Sequence, residues 1–331
     1  MNRSRFFLIT TIIVSFLLSN GCSIKKMALN QVANALTTED GGTVFTGDND
    51  PELIAGALPF AIKMYESLMV SAPWHQGLQL KTGSLYIMYA NAFIQTPADM
   101  LTDEEKEQQD FMLKRAKNLY VRGRDIILKA IEQKHPGFMA QMEAKKYDVA
   151  FSKMKKEDVP FLYWGAAGWL AAYAIDPFDM KMSLTVPNAS EMMKCVARLD
   201  EGFDNGSVYD FYTLYYGAMP ESLGGSAAKA REYFQKAVDA SKGKKTSHFL
   251  SLATTVSVNE QNLKEFKELL NKVLEVNPDV DPQNRLVNIL NQRKATWLLK
   301  HLDNFFVESE ETPVEPENKQ EETGEVTEQN N

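Results

Sequence analysis

Helices that stop at proline constrain this chain more than any other feature. The stretch Tyr209–Phe234 shows the arrangement in full. Leu214, Tyr215 and Ala218 precede Pro220, which has no backbone N–H to donate and should end the first helix. Gly224 and Gly225 then permit backbone angles that other residues avoid, and Ser226 is placed to cap the helix that follows. That second helix carries Ala230, Phe234 and Ala237, in which small residues admit a partner helix and the aromatic fills the groove between them. Ala61, Tyr65, Leu68 and Pro73 repeat a proline-terminated spacing, as do Phe266, Leu270, Val273 and Pro278. No convincing run of alternating apolar and polar residues occurs, so the chain reads as all α.

These spacings are those of tetratricopeptide helices: A-x3-F-x2-A in a second helix, and an aromatic-bearing helix closed by proline. The expected architecture is a tetratricopeptide-like solenoid of helical hairpins, curled around a cavity or channel. With 331 residues and 44% hydrophobic content the chain can bury a large core.

Four segments follow in order. Residues 1–21 read as an export signal, with Arg3 and Arg5 before the apolar run Phe6–Leu18, which at 13 residues is short for a membrane span. Leu18-Ser19-Asn20-Gly21-Cys22 resembles a bacterial lipobox, making Cys22 the expected lipidated N-terminus and placing the protein in the periplasm, anchored to a membrane. Residues 22–49 form a tether with a short helix over Ile24–Leu36 and a loop over Thr37–Asn49. Residues 50–306 form the helical body. It opens with Asp50 and Pro51 at cap and first helical position. A capping box at Thr102 and Glu105 starts a long helix to about Gln133, and one helix is expected between Gly137 and about Met154. Residues 307–331 are a tail expected to be disordered. Its glutamates give Glu308–Asn331 a net charge of −8, equal to that of the whole chain, so the body before it is neutral and offers no net attraction to nucleic acid.

Motifs for chemistry are missing. No two of His75, His135, His248 and His301 stand at metal-ligand spacing, no Cys-x-x-Cys occurs, and neither metal nor cofactor is expected. His75 and His135 read as solvated turn residues, Cys195 as a small buried hydrophobe, and the Asp103–Glu105 carboxylates as a first helical turn. No nucleotide loop or hydrolase elbow is present, so an enzyme is not expected. What stands out is aromatic density. Trp164, Trp169, Tyr212 and Tyr216 are the candidates for lining a ligand passage, with Lys63 as its positive charge, and Gly165 and Gly168 either leave room for a cavity beside Tyr163, Trp164, Trp169 and Tyr173 or let another helix approach.

Three segments carry a family resemblance: Pro220 with Leu223-Gly224-Gly225 and Ala228-Lys229-Ala230-Arg231-Glu232-Tyr233-Phe234; Asp50-Pro51-Glu52 with Ala57-Leu58-Pro59-Phe60-Ala61-Ile62-Lys63-Met64-Tyr65; and a last helix with Leu286, Asn288, Ala295, Leu298 and Leu299. Together they resemble the T component of tripartite ATP-independent periplasmic (TRAP) transporters. The resemblance implies a lipoprotein of tetratricopeptide type, a homo-oligomer (a trimer in that family), and association with the periplasmic solute-binding P component. It implies a small organic acid or hydrophobic ligand held or passed on, and no covalent reaction. The other reading is a ligand-free tetratricopeptide scaffold for envelope proteins. Pro59, Tyr65, Pro73, Pro220, Gly224, Gly225, Ala230 and Phe234 are the packing signature of the resemblance. If the leader is a lipoprotein signal, Cys22→Ala should block processing, and labelled fatty acid should follow only the wild type into the detergent phase. A processed alanine variant that partitions equally would refute lipidation.

Overall fold

The computed structural model describes residues 25–307; the leader, Cys22 and the chain from Glu308 onward lie outside the described residues. Every regular element among the described residues is helical. The first is α1 (25–36), followed by α2 (Glu39–Thr46) and α3 (Pro51–Ser71). The Asp50 carboxylate caps α3 by accepting from the Leu53 N–H at 3.0 Å. Pro59 lies inside α3, exposed, and donates nothing to the carbonyl one turn back. Buried Tyr65 donates its hydroxyl to the Leu36 carbonyl at 2.7 Å and ties α1 to α3. Helix α3 has ended before Pro73.

Four helices then pack side by side through glycine. Helix α4 (Gln76–Ala90) runs through a wide turn into α5 (Thr96–Ala98), and α6 (Lys106–Lys134) lies against α4. A β-carbon on Gly83 would stand 2.7 Å from the Gly123 carbonyl oxygen, and one on Gly123 would stand 2.6 Å from the Gly83 oxygen. The two backbones therefore touch, which only glycine at both positions allows. After α7 (Phe138–Glu143) and α8 (Tyr147–Phe151), α9 (Val159–Ile175) packs along α6 and also touches α4. Ile87 presses on Gly168 and Met192 on Gly165, so both α9 glycines are sites of close approach. Met192 belongs to α11 (Pro187–Asp200), reached through α10 (Met180–Thr185). Tyr120, fully buried between these helices, donates to Gln95 Oε1 at 2.6 Å.

The pair α12 (Ser207–Ala218) and α13 (Ala227–Ser241) follows the expected turn. Gly224 has φ +96°, and the Ser226 hydroxyl accepts from the Lys229 N–H at 3.3 Å. Gly225 is required for a different reason from its neighbour. Its φ is not positive, but a β-carbon there would lie 1.8 Å from the Met219 carbonyl oxygen. Ala230 and Ala237 are fully buried, and Phe234 packs edge-on to Phe249 of α14 (Ser247–Leu252) at 5.8 Å.

Helix α15 (Leu263–Glu275), with Phe266, Leu270 and Val273 at zero exposure, pairs with α16 (Arg285–Lys300). Helix α16 then meets the beginning of the chain. Leu286 shares a core with Ile54 and Leu58, and Arg285 Nη1 donates to the Gly47 carbonyl at 2.9 Å. Arg293 is forked onto the Glu52 carboxylate, and Lys294 reaches Asp99 at 2.9 Å. The order of packing is thus a closed circuit: each helix group touches the next, and the last touches the first.

Several expectations needed correction. The loop expected over Thr37–Asn49 contains α2, which packs against the turn at Pro282–Asn284 and against α16, a contact no local pattern announces. The helix expected up to Met154 is broken into α7 and α8 at Lys145, whose φ is +55°. His75 is not a solvated turn residue. Its Nδ1 caps α4 by accepting from the Leu78 N–H at 3.1 Å, and its Nε2 pairs with Asn34 at 2.9 Å. His135 joins Lys134 against Asp158, with contacts of 3.1 and 2.7 Å. Cys195 is buried as expected, and burial pushes its thiol up.

Two measurements follow from this packing. Gly225→Val should cost about 1–3 kcal/mol, the range for an overfilled site, and more than Gly224→Ala; an unchanged melting curve would overturn the Met219 contact. Asp158 provides a pH signature. Burial would raise its carboxyl, but Lys134, the Lys155 N–H and His135 outweigh burial and hold it below its ordinary value. Its contribution is therefore present above the ordinary carboxylate range and lost as pH falls through the lower folded value. Asp158→Asn should lose about 1–3 kcal/mol at pH 7, and the gap to wild type should close below about pH 4. A gap constant with pH would place the effect in packing instead.

Candidate functional site

Helix α12 spaces its aromatics so that Tyr212 and Tyr216 share one face, while Phe211 and Tyr215 share the adjoining one. The rings form a continuous ladder. Tyr212 and Tyr216 stack at 6.1 Å, Phe211 and Tyr215 at 6.2 Å, and Tyr233 of α13 lies 4.8 Å from Tyr212 and 5.7 Å from Tyr216. Tyr209 extends it, its ring 6.4 Å from that of Tyr233. Two ammonium groups lie on its faces, Lys229 at 5.1 Å over Tyr216 and Lys236 at 4.9 Å over Tyr233. Lys194 of α11 borders the same rings, and its bond to Glu191 and the nearby Tyr215 and Tyr216 favour its charged form. Burial raises the Tyr212 hydroxyl above its ordinary value. Among the described residues, the Tyr212, Tyr216 and Tyr233 hydroxyls have no hydrogen-bond partner. Apolar faces, free hydroxyls and flanking ammonium groups together suit an amphipathic organic anion.

Beside the ladder, at the start of α12, is a polar nest. The turn Phe203–Gly206 holds Asp204 and Asn205 in the left-handed region, φ +47° and +49°, a conformation that costs non-glycine residues free energy. The strain brings Asp204 over Lys245, which is 3% exposed and binds Asp204 Oδ2 at 2.8 Å and Ser207 Oγ at 3.2 Å. His248, 1% exposed, places Nδ1 at 3.4 Å from Asp210 Oδ1, yet neither ring nitrogen has a hydrogen bond among the described residues. Tyr163 closes the nest from α9. Burial, then the charges of Asp204 and Asp210, keep its hydroxyl protonated far above the usual range.

The residues singled out from the sequence fall in different places. Tyr212 and Tyr216 are neighbours in the ladder. Trp164 packs edge-on to Tyr163 at 5.6 Å and so adjoins the nest. Trp169 points elsewhere: 5% exposed, it donates to Thr185 Oγ1 at 3.3 Å under the Arg124 guanidinium at 4.8 Å. Lys63 sits on the outer side of α3, largely exposed, paired with Glu66. Tyr163 stands beside Gly165 as the sequence placed it, whereas the sequence offered Tyr233 only within a family segment and His248 only as a histidine without a metal-ligating neighbour. Tyr233 directly precedes Phe234, and the helical step that turns Phe234 to one core turns its neighbour to α12. Among the described residues no group of three or more His, Cys, Asp or Glu side chains could hold a metal ion.

Comparison with known proteins agrees with this helical body. Residues 47–306 match the family model described as TRAP transporter T-component. A protein of Treponema pallidum (strain Nichols), described only as uncharacterized, is 34% identical over 309 residues, covering 89% of this chain and 96% of that one.

The packing separates the aromatic candidates by stability. Trp169→Ala should cost about 3–5 kcal/mol, as for a buried aromatic, whereas half-buried Tyr216 should tolerate alanine with a smaller loss. Denaturant melts of both variants decide it; a Trp169→Ala melt matching wild type would remove Trp169 from the core.

Proposed function

We propose that this chain, which belongs to the TRAP transporter T-component family, serves its transporter as a lipid-anchored periplasmic accessory. In this reading it meets the solute-binding P component and holds or passes a small organic or hydrophobic ligand. The observation that carries it is the tyrosine ladder with its rim of Lys194, Lys229 and Lys236. Rings stacked this closely offer an apolar face to a hydrocarbon portion, while the ammonium groups answer a carboxylate. The helical body is read as a tetratricopeptide-like solenoid, supported by the buried Ala230, Ala237, Phe266, Leu270 and Val273 at the repeat spacing.

Self-association is part of the same reading. Leu53, Gly56, Ala57, Phe60, Met64 and Ser67 make an uncharged exposed stripe along α3, with Phe60 75% exposed. Small residues among large apolar ones are what a second helix needs for close approach. A ligand-free scaffold would use that stripe as well, but gives the ladder no role.

The test is co-purification with the solute-binding protein encoded nearest to this chain, followed by ligand binding read from tyrosine fluorescence. Tyr216→Ala with Lys229→Ala should weaken binding of a medium-chain carboxylate about tenfold, the sum of a ring contact and an exposed ion pair at about 0.5–1 kcal/mol each. Retained complex with unchanged carboxylate binding would leave the partner and remove the ladder from ligand handling.

A further inference from the structure

The turn between α13 and α14 presents two lysines that meet no acidic partner among the described residues. Helix α13 ends on Lys242 at φ +54°, the Gly243 N–H donates back to the Val238 carbonyl at 2.9 Å, and Asn288 Nδ2 donates to the Lys244 carbonyl at 3.0 Å. The turn is thus fixed from both sides. Lys242 and Lys244 are exposed, and among the described residues neither ammonium group meets a carboxylate. Lys272 stands with them, paired to Glu275 at 2.8 Å. With Phe249, Val276 and Val280 these residues line a groove of about 370 Å³. Three cations against one carboxylate, over an apolar floor, fit an acidic segment carrying a small apolar side chain.

The chain supplies such a segment at the right distance. Val307 is held at the start of α15, where its N–H donates to Gln261 Oε1 at 3.0 Å and Gln261 Nε2 donates to the Phe305 carbonyl at 2.9 Å. Val276, in the groove, lies just past the other end of α15, about 22 Å away at 1.5 Å per residue. The seven residues from Val307 to Val314 also span about 22 Å in the extended form that proline favours, at 3.1 Å each. Val314 is preceded by Pro313 and followed by Glu315, Pro316 and Glu317, in a segment rich in glutamate and almost free of lysine.

We infer that residues 312–317 dock in this groove, with Val314 against Phe249 and Val276, and Glu315 and Glu317 at Lys242 and Lys244. Docking within one chain needs little affinity, since a short tether holds the segment at an effective concentration in the millimolar range. The tail neutralises the basic rim, and any acidic partner using the same lysines must displace it.

Carbodiimide, which joins carboxylates to amines in direct contact, tests this on the full chain. Glu315 or Glu317 should cross-link to Lys242 or Lys244, and the links should disappear in 1 M salt. In an equal mixture of ¹⁴N and ¹⁵N chains, each link should join residues of one isotope. Links of mixed isotope would assign the groove to a second copy, and links spread evenly over the surface lysines, or none, would equally overturn docking. Hydrogen exchange provides a second reading. Residues 242–249 should exchange at least threefold faster in a Val314→Asp, Glu315→Lys, Glu317→Lys variant than in wild type. Unchanged exchange would overturn the proposal, and if an added glutamate-rich peptide then slowed it, the groove would belong to a separate acidic partner.

Discussion

The contact between Gly83 and Gly123 governs the arrangement of the rest. Each carbonyl oxygen occupies the space where the other residue would carry a side chain, so α4 and α6 meet backbone to backbone. That approach sets Ile87 and Tyr120 at the depth where α9 can lie over both, with Gly168 receiving Ile87. Helix α9 in turn takes Met192 against Gly165 and fixes α11. A glycine inside a helix costs about 1 kcal/mol relative to alanine, and here that cost accompanies three successive helix contacts.

The candidate site sits where this regular packing gives way. The polar nest begins at two consecutive residues in the left-handed region, and it buries Lys245 and His248 where the helices on either side bury alanine and leucine. Lys245 is matched by Asp204 and Ser207. His248 is not hydrogen-bonded among the described residues, which makes it the least satisfied buried group beside the ladder.

What the sequence made legible was local. Pro220, Gly224 and Ser226 punctuate one turn, Thr102 and Glu105 open one helix, and their roles are decided within a few residues. The helical spacing of Phe266, Leu270 and Val273 likewise declares one buried face. The parts missed depend on partners far along the chain. Helix α2 exists against α16, His75 caps a helix while holding Asn34, and Gly225 is forced by the carbonyl of Met219 and not by its own dihedral angle. Tyr212 and Tyr216 could be paired from their spacing, whereas Trp169 could not be assigned to Thr185 and Arg124, because α10 has too little periodicity to announce itself. Gly83 and Gly123 left a signal that went unread, glycine in the middle of two otherwise strong helices.

The closure of α16 onto α2 and α3 bears on how the molecule comes into being. Contacts between residues more than two hundred positions apart, such as Arg293 with Glu52, can only follow the contacts between neighbours along the chain. A polypeptide emerging amino end first displays Ile54 and Leu58 with their covering residue Leu286 not yet made. The opening hairpin must therefore wait, partly bare, for the end of synthesis. Whatever shelters nascent chains is needed longest by the part of this one that appears first.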